Sequence, residues 1–154
     1  KPDFPLRAYQ DFSAFKLFVL DVGLLGAMSR LSAKILLEGS RLFEEFKGAL
    51  TEQYVLQQLV VNRENDIFYW SADHGTGEID FLVQMDDKIV PIEVKAEENL
   101  QAKSLKMFVQ KYDMKYAVRT SMSDYREQDW MVNYPLYDIG SLNQYFSAVF
   151  HTRR

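Results

Sequence analysis

The sequence predicts an α/β domain in which helices flank a central mixed sheet, and three observations lead there. Apolar residues recur at helical spacing over residues 42–61. Three strand-like runs follow, at 66–73, 78–85 and 88–95, with turn residues between them. A second helical period and a further strand run come next. A helix between two strands favours a parallel pairing alongside the antiparallel three.

The elements read as follows in chain order. Residues 1–15, with Pro2 and Pro5 and no period, form an irregular lead-in. Lys16 to Leu20 is a short apolar strand, ended at Asp21-Val22-Gly23, where the glycine permits a turn. Ser29 to Leu37 is a short helix capped by Ser29 or Ser32 and closed by Gly39. The long helix carries Phe43, Phe46, Leu50, Leu56 and Leu59 on its apolar stripe. DIFYWSAD (66–73) is an aromatic strand, and His74-Gly75-Thr76-Gly77 turns the chain into the next one. A helix starting at Asn99 or Ser104 runs to Tyr112, burying Leu105, Phe108 and Val109. KYAVRT (115–120) and YPLYDI (134–139) are the fourth and fifth strands of the sheet region, and residues 141–150 form a last helix. No repeat or linker divides residues 16–154, so they make one domain.

Composition narrows the function. With 154 residues, 47% of them apolar, the chain is long enough to bury a proper core. Its net charge of -4 gives no global basic footprint, so any contact with a phosphate backbone has to be local. The absence of cysteine excludes disulfides and thiolate metal sites, and two histidines are too few for a multi-histidine zinc site. No apolar run is long enough to span a membrane and no basic-then-apolar leader opens the sequence. The expectation is a soluble cytoplasmic protein with no membrane partner. A start at Lys1, in the middle of an ordinary-looking segment, points to a piece of a longer polypeptide.

The stretch EIDFLVQMDDKIVPIEVKA (78–96) carries the chemistry. A two-residue turn at Asp86-Asp87 sets Asp80 opposite Glu93 and Glu78 opposite Lys95. Facing carboxylates destabilise a sheet unless a positive charge joins them, and Mg²⁺ held by carboxylate oxygens and water would serve. The alternating residues Ile79, Phe81, Val83 and Val90, Ile92, Val94 belong to the core. A plain solvated face with a Glu78–Lys95 cross-strand pair is the alternative.

Two further features weigh against that alternative. Helical periodicity puts Glu52 on the stripe of Gly48, Ala49, Val55, Leu56 and Leu59, where a carboxylate needs a cation, a donor or a raised pKa unless it reaches water at the edge. Gly48 costs about 1 kcal/mol against alanine in a helix interior, which implies close packing there. In VPIEVKA, Glu93 and Lys95 share a face, so the lysine can orient water on a metal that Asp80 and Glu93 hold, with the Val94 carbonyl as a further ligand.

The order Glu52, Asp80, Glu93-x-Lys95 resembles the PD-(D/E)XK nuclease superfamily, with Ile79 standing where that motif has its proline. Gly48, Leu50, Glu52 and Tyr54 to Leu59, then FYW, EIDFLV and IVPIEVKA, with KLFVLDVGLLG before them, look like the domain of unknown function that follows the ATPase core in bacterial and archaeal AAA-type ATPases. The resemblance spans residues 16–142. It implies a restriction-endonuclease-like αβββαβ core with Glu52, Asp80, Glu93 and Lys95 as catalytic residues and Mg²⁺ or Mn²⁺ as cofactor. It also implies an upstream ATPase module as partner, to which residues 1–15 lead back, with ATP and any oligomerisation belonging to that module.

Nucleic acid, DNA rather than RNA by resemblance, is then the expected substrate. Residues 100–119 hold five positive side chains against Asp113, a local balance of +4, and Lys103, Lys106 and Arg119 are the candidates to track a backbone. The competing expectation is a catalytically inactive nuclease-fold domain that serves regulation, or binds a partner or nucleic acid, for the ATPase. The acidic pI and the nearby Glu78, Glu97 and Glu98 favour it.

Overall fold

In the computed structural model, residues 2–30, 32, 41–61, 65–72, 77–96 and 101–152 are described. The helices are α1 (Val22–Met28), α2 (Arg41–Val61), α3 (Lys103–Tyr112) and α4 (Leu142–Thr152). The strands are β1 (Asp66–Ser71), β2 (Glu78–Met85), β3 (Lys88–Val94), β4 (Val118–Ser121), β5 (Arg126–Glu127) and β6 (Val132–Pro135). They form a six-stranded sheet in the order β1-β2-β3-β4-β6-β5. β1, β2 and β3 are an antiparallel meander, while β3, β4 and β6 run parallel. The mixed sheet expected from the sequence is therefore present.

Helices cover both faces. Val55 and Leu59 of α2 and Leu142 and Phe146 of α4 pack with Phe81, Val83, Val90 and Ile92 on one side of the sheet. Leu105 and Phe108 of α3 pack with Ile79 and Leu82 on the other. Buried alternation along the strands explains both clusters, since successive side chains point to opposite faces. One position breaks the alternation. Ile79 and Phe81 were expected on one face, yet they lie in different clusters.

The reason is an extra residue in β2. Between the pairs Phe68↔Leu82 and Trp70↔Ile79, β1 advances two residues and β2 advances three. Such a bulge leaves two β2 residues, Asp80 and Phe81, against Tyr69 of β1, and bends the strand. It lies at the limit of the β2–β3 ladder, which runs from Met85↔Lys88 to Phe81↔Ile92 and ends there.

Several local readings change. Lys16 to Leu20 is not a strand and joins no ladder among the described residues. Instead Gln53 on α2, itself buried, accepts a hydrogen bond from the Val19 N–H at 3.0 Å and donates one to the Val19 carbonyl at 2.9 Å. One amide side chain thus does the work of a neighbouring strand at one residue. Asp21 is not a turn but the N-cap of α1, accepting from Leu24 N–H at 2.8 Å. The lead-in contains a 3-10 turn at Leu6–Tyr9, anchored by Leu6, whose side chain enters the α3-side core, and by the Arg7–Asp66 ion pair at 2.7 Å.

Helix α3 begins at Lys103 after Ala102, with no side-chain cap, and ends at Asp113 in the left-handed conformation, its N–H bonded to the Val109 carbonyl. The strand expected at 134–139 lies earlier, at Val132–Pro135, because the chain enters a 3-10 turn (Leu136–Ser141) directly after Pro135. There the hydroxyls of Tyr134 and Ser141 meet at 2.6 Å and fix the corner. The short edge strand β5 has no apolar alternation to announce it. The helix expected over 29–37, the turn at 74–77 and the helix start at Asn99 fall wholly or largely outside the described residues.

Gly48 does not mark a close approach. It is exposed, and a Cβ added there meets nothing within 4 Å. Gly48→Ala is therefore expected to stabilise the domain by about 0.5–1 kcal/mol, read as a higher urea midpoint with unchanged slope. A loss of stability would mean that α2 packs more closely at this point than the structure has it.

Candidate functional site

Where the β2–β3 ladder stops, backbone groups need other partners. The Lys95 N–H bonds to the Thr120 carbonyl on β4 at 2.9 Å. The preceding residue faces the opposite way, and the Val94 N–H donates to Asp80 Oδ2 at 2.7 Å. A carboxylate thus stands in for the missing ladder partner. Since the N–H and C=O of one strand residue leave on the same side, the Val94 carbonyl also faces β2.

The bulge turns Asp80 toward Glu52 of α2, and the two carboxyls are hydrogen bonded. Burial, with the charge and hydrogen bond of Glu52 adding to it, pushes the Asp80 carboxyl up to about 7, against the Val94 N–H and the charge of Lys16, which favour its ionised form. Glu52 is thus a carboxylate on the apolar helix that meets a polar partner, as the sequence requires of it.

Lys16 completes this group. Its Nζ lies 2.5 Å from Glu78 Oε1 and 3.6 Å from Glu52 Oε2, and 5.3 Å from the centre of the Tyr69 ring. Burial pulls the Lys16 ammonium down, but its hydrogen bond to Glu78 and the charges of Glu52, Glu78 and Asp80 outweigh it, so its pKa is raised. Sequence reasoning missed Lys16 because KLFVL reads as a strand. The one available signal was a charged residue at its start.

Glu93 and Lys95 form a second group. Glu93 is 6% exposed, and its Oε1 meets Lys95 Nζ at 2.7 Å. Its other oxygen, Oε2, is buried with no hydrogen-bond partner. In register beside it on β4 stands Arg119, 1% exposed, whose Nε donates to Asn133 Oδ1 on β6 at 2.9 Å. Burial pulls the Arg119 guanidinium below its ordinary value, against the neighbouring Glu93 charge, which favours it. Asn133 in turn donates to the Ser123 and Asp124 carbonyls and accepts from Ser121 Oγ, tying the loop after β4 to this row.

Two expected pairings are therefore replaced. Asp80 faces Glu52 and Val94 rather than Glu93, because the bulge takes it out of simple alternation. Glu78 pairs with Lys16, and Lys95 with Glu93. Arg119 cannot lie along a nucleic-acid backbone, since it is inside the sheet. Lys103 and Lys106 are exposed on α3, as such a role would need. Trp70 stacks edge-on against Phe108 and Tyr112, which makes it part of the core packing. A cleft of about 580 Å³ is lined by Asp80, Lys16, Tyr69, Trp70, Tyr9 and Phe15, so Asp80 borders accessible space.

The family model for the Domain of unknown function (DUF4143) matches residues 47–139. The chain belongs to this family. The match takes in every residue of both groups except Lys16. No curated protein and no solved structure matches the DUF4143 chain. Among its described residues no helix is long and apolar enough to cross a membrane.

The donor set of this DUF4143 domain fits a hard divalent cation in kind, if not as a finished cage. Among the described residues no group of three or more Asp, Glu or His side chains is arranged to hold a metal. Mg²⁺ needs fewer, since it keeps most of its waters and takes one or two carboxylates. Glu52, Asp80 and the Val94 carbonyl offer oxygen ligands of that kind around a place where an ammonium already sits.

The raised Asp80 carboxyl has a consequence for stability. A carboxyl whose folded pKa is raised favours the folded state below its unfolded pKa, and that contribution is lost as pH rises from about 4 through about 7. Asp80→Asn removes the titration. Denaturant unfolding at pH 5 and pH 8 should find the variant gaining on the wild type at the higher pH. A constant difference would mean the carboxyl ionises normally.

Proposed function

We propose that this DUF4143 domain is a restriction-endonuclease-like domain of the PD-(D/E)XK type, which hydrolyses phosphodiester bonds in nucleic acid, DNA before RNA, with Mg²⁺ or Mn²⁺. The observation that carries the reading is the Glu52–Asp80 carboxyl pair at the open end of β2 and β3, with the Val94 carbonyl and the Glu93–Lys95 pair on the next strand. Helix acid, strand acid, then Glu-x-Lys on the neighbouring strand is the order the motif resemblance requires. Resemblance to the domains that follow AAA-type ATPase cores supports an ATPase module as its partner, with nucleotide binding and oligomerisation residing there.

A divalent ion on Glu52, Asp80 and the Val94 carbonyl would polarise a phosphoryl oxygen and make bound water acidic. The chain's own residues have separate tasks. Glu93 holds the Lys95 ammonium at 2.7 Å. Glu93 and Lys95 leave β3 on the face opposite Val94, so this ammonium would have to reach round the end of the strand to steady negative charge developing on the phosphoryl group. Exposed Lys103 and Lys106 on α3 would meet backbone phosphates only peripherally, consistent with the acidic net charge of the chain.

A second reading rests on Glu93. Its charge is met by Lys95 and lies beside buried Arg119, so the protein supplies counter-charges that an active centre would leave to metal and substrate. This arrangement favours a nuclease-fold domain that binds a partner or nucleic acid without cutting.

Calorimetric titration of Mg²⁺ and Mn²⁺, paired with cleavage of labelled DNA and RNA, separates the two. Wild type is expected to bind at millimolar concentration or below and to cut, with Asp80→Ala/Glu93→Ala binding no metal. Lys95→Ala should keep its metal affinity within a few-fold while cutting slows by about 100-fold or more. Wild type that binds neither ion at millimolar levels, or cutting that ignores Lys95, removes the catalytic reading.

A further inference from the structure

The acid site already contains a cation. Lys16 comes from a segment that joins no ladder among the described residues, and its neighbours Val19 and Val22 hydrogen bond to the side chains of Gln53 and Gln57 on α2. Phe15, Leu17 and Leu20 on the same segment project into solvent, while Phe18 packs on the α2-side core with its ring 6.0 Å from that of Phe81. Lys16 also turns inward. Its side chain is 23% exposed, and its ammonium lies between the β2 carboxylate Glu78 and the α2 carboxylate Glu52, close enough to Asp80 to affect it.

An ammonium among three carboxyl groups occupies the charge position that a divalent ion would take. Two cations a few ångströms apart repel strongly in a partly desolvated site, so they do not share it easily. The lysine also has a route out. It sits on a long flexible stem, so its ammonium can swing clear while Phe18 keeps the segment on the core.

We infer that Lys16 is the built-in counter-ion of the Glu52–Asp80 site and that a divalent cation binds there by displacing it. The inference rests on the proposed metal-dependent reading and adds a residue that lies outside the matched family segment. It makes Lys16 a determinant of cation affinity, and it makes movement of the Lys16 side chain part of filling the site.

The test is Mn²⁺ binding, followed by the electron paramagnetic resonance of free Mn²⁺, for wild type, Lys16→Gln, Lys16→Arg and Asp80→Asn at one pH and ionic strength. Lys16→Gln is expected to bind at least about tenfold tighter than wild type, since a repelling unit charge is gone. Lys16→Arg should stay near wild type, and Asp80→Asn should lose the site. Equal or weaker binding by Lys16→Gln overturns the inference alone. Absence of binding in every protein, Lys16→Gln included, overturns it together with the metal-dependent reading. A companion measurement needs no variant: acylation of Lys16 in the wild type, followed by mass spectrometry, should rise when Mn²⁺ is added. Mn²⁺ binding that leaves Lys16 labelling unchanged contradicts displacement.

Discussion

The extra residue that β2 carries at Asp80–Phe81 is the constraint from which the site follows. Without it, alternation would turn Asp80 toward Glu93 on the α3 side, and the ladder could run on to pair Val94 with Ile79. With it, β2 bends, the ladder to β3 stops at Phe81↔Ile92, and a carboxylate completes the hydrogen bonding that the ladder no longer supplies. The same bend brings Asp80 against Glu52, so the position of an acid on α2 and the end of a strand pairing are one structural fact. Bulges beside sites commonly re-aim a side chain in this way.

The charged groups are distributed so that none is stranded far from compensation. Glu52, Asp80 and Glu78 gather round Lys16, and Glu93 lies with Lys95 and Arg119. Burying such groups costs more than their attraction returns unless geometry and hydrogen bonding are good, so a polar row through the sheet argues for a task other than stability. The row from Glu93 through Arg119 and Asn133 reaches the loop at Ser123 and Asp124, and so fixes the edge of the sheet to the strand that holds Lys95. The DUF4143 match covers this row entire.

Much of the architecture was legible in the sequence because it depends on periodicity. The long helix, the three-strand meander and the parallel step after α3 all follow from spacing that burial enforces. What was not legible depends on single interactions. Gln53 replaces a strand at Val19, and nothing in KLFVL distinguishes a segment paired by a glutamine from one paired by a neighbour. The site was half readable. Glu52, Asp80, Glu93 and Lys95 were each singled out, but two-residue turn arithmetic cannot register a bulge further along the strand at Asp80–Phe81, so Asp80 received the wrong facing partner. Arg119 was counted as a surface charge because linear composition does not reveal that its position lies between two strands inside the sheet.

The central claim is that Asp80 is paired with Glu52 and not with Glu93. Carboxyl carbon resonances of Asp80, followed against pH by nuclear magnetic resonance, test it in Glu52→Gln and Glu93→Gln. Loss of the Glu52 charge should bring the Asp80 midpoint down from about 7 toward the ordinary carboxylate range, while Glu93→Gln should leave it in place. A midpoint that moves with Glu93 and ignores Glu52 would contradict the account.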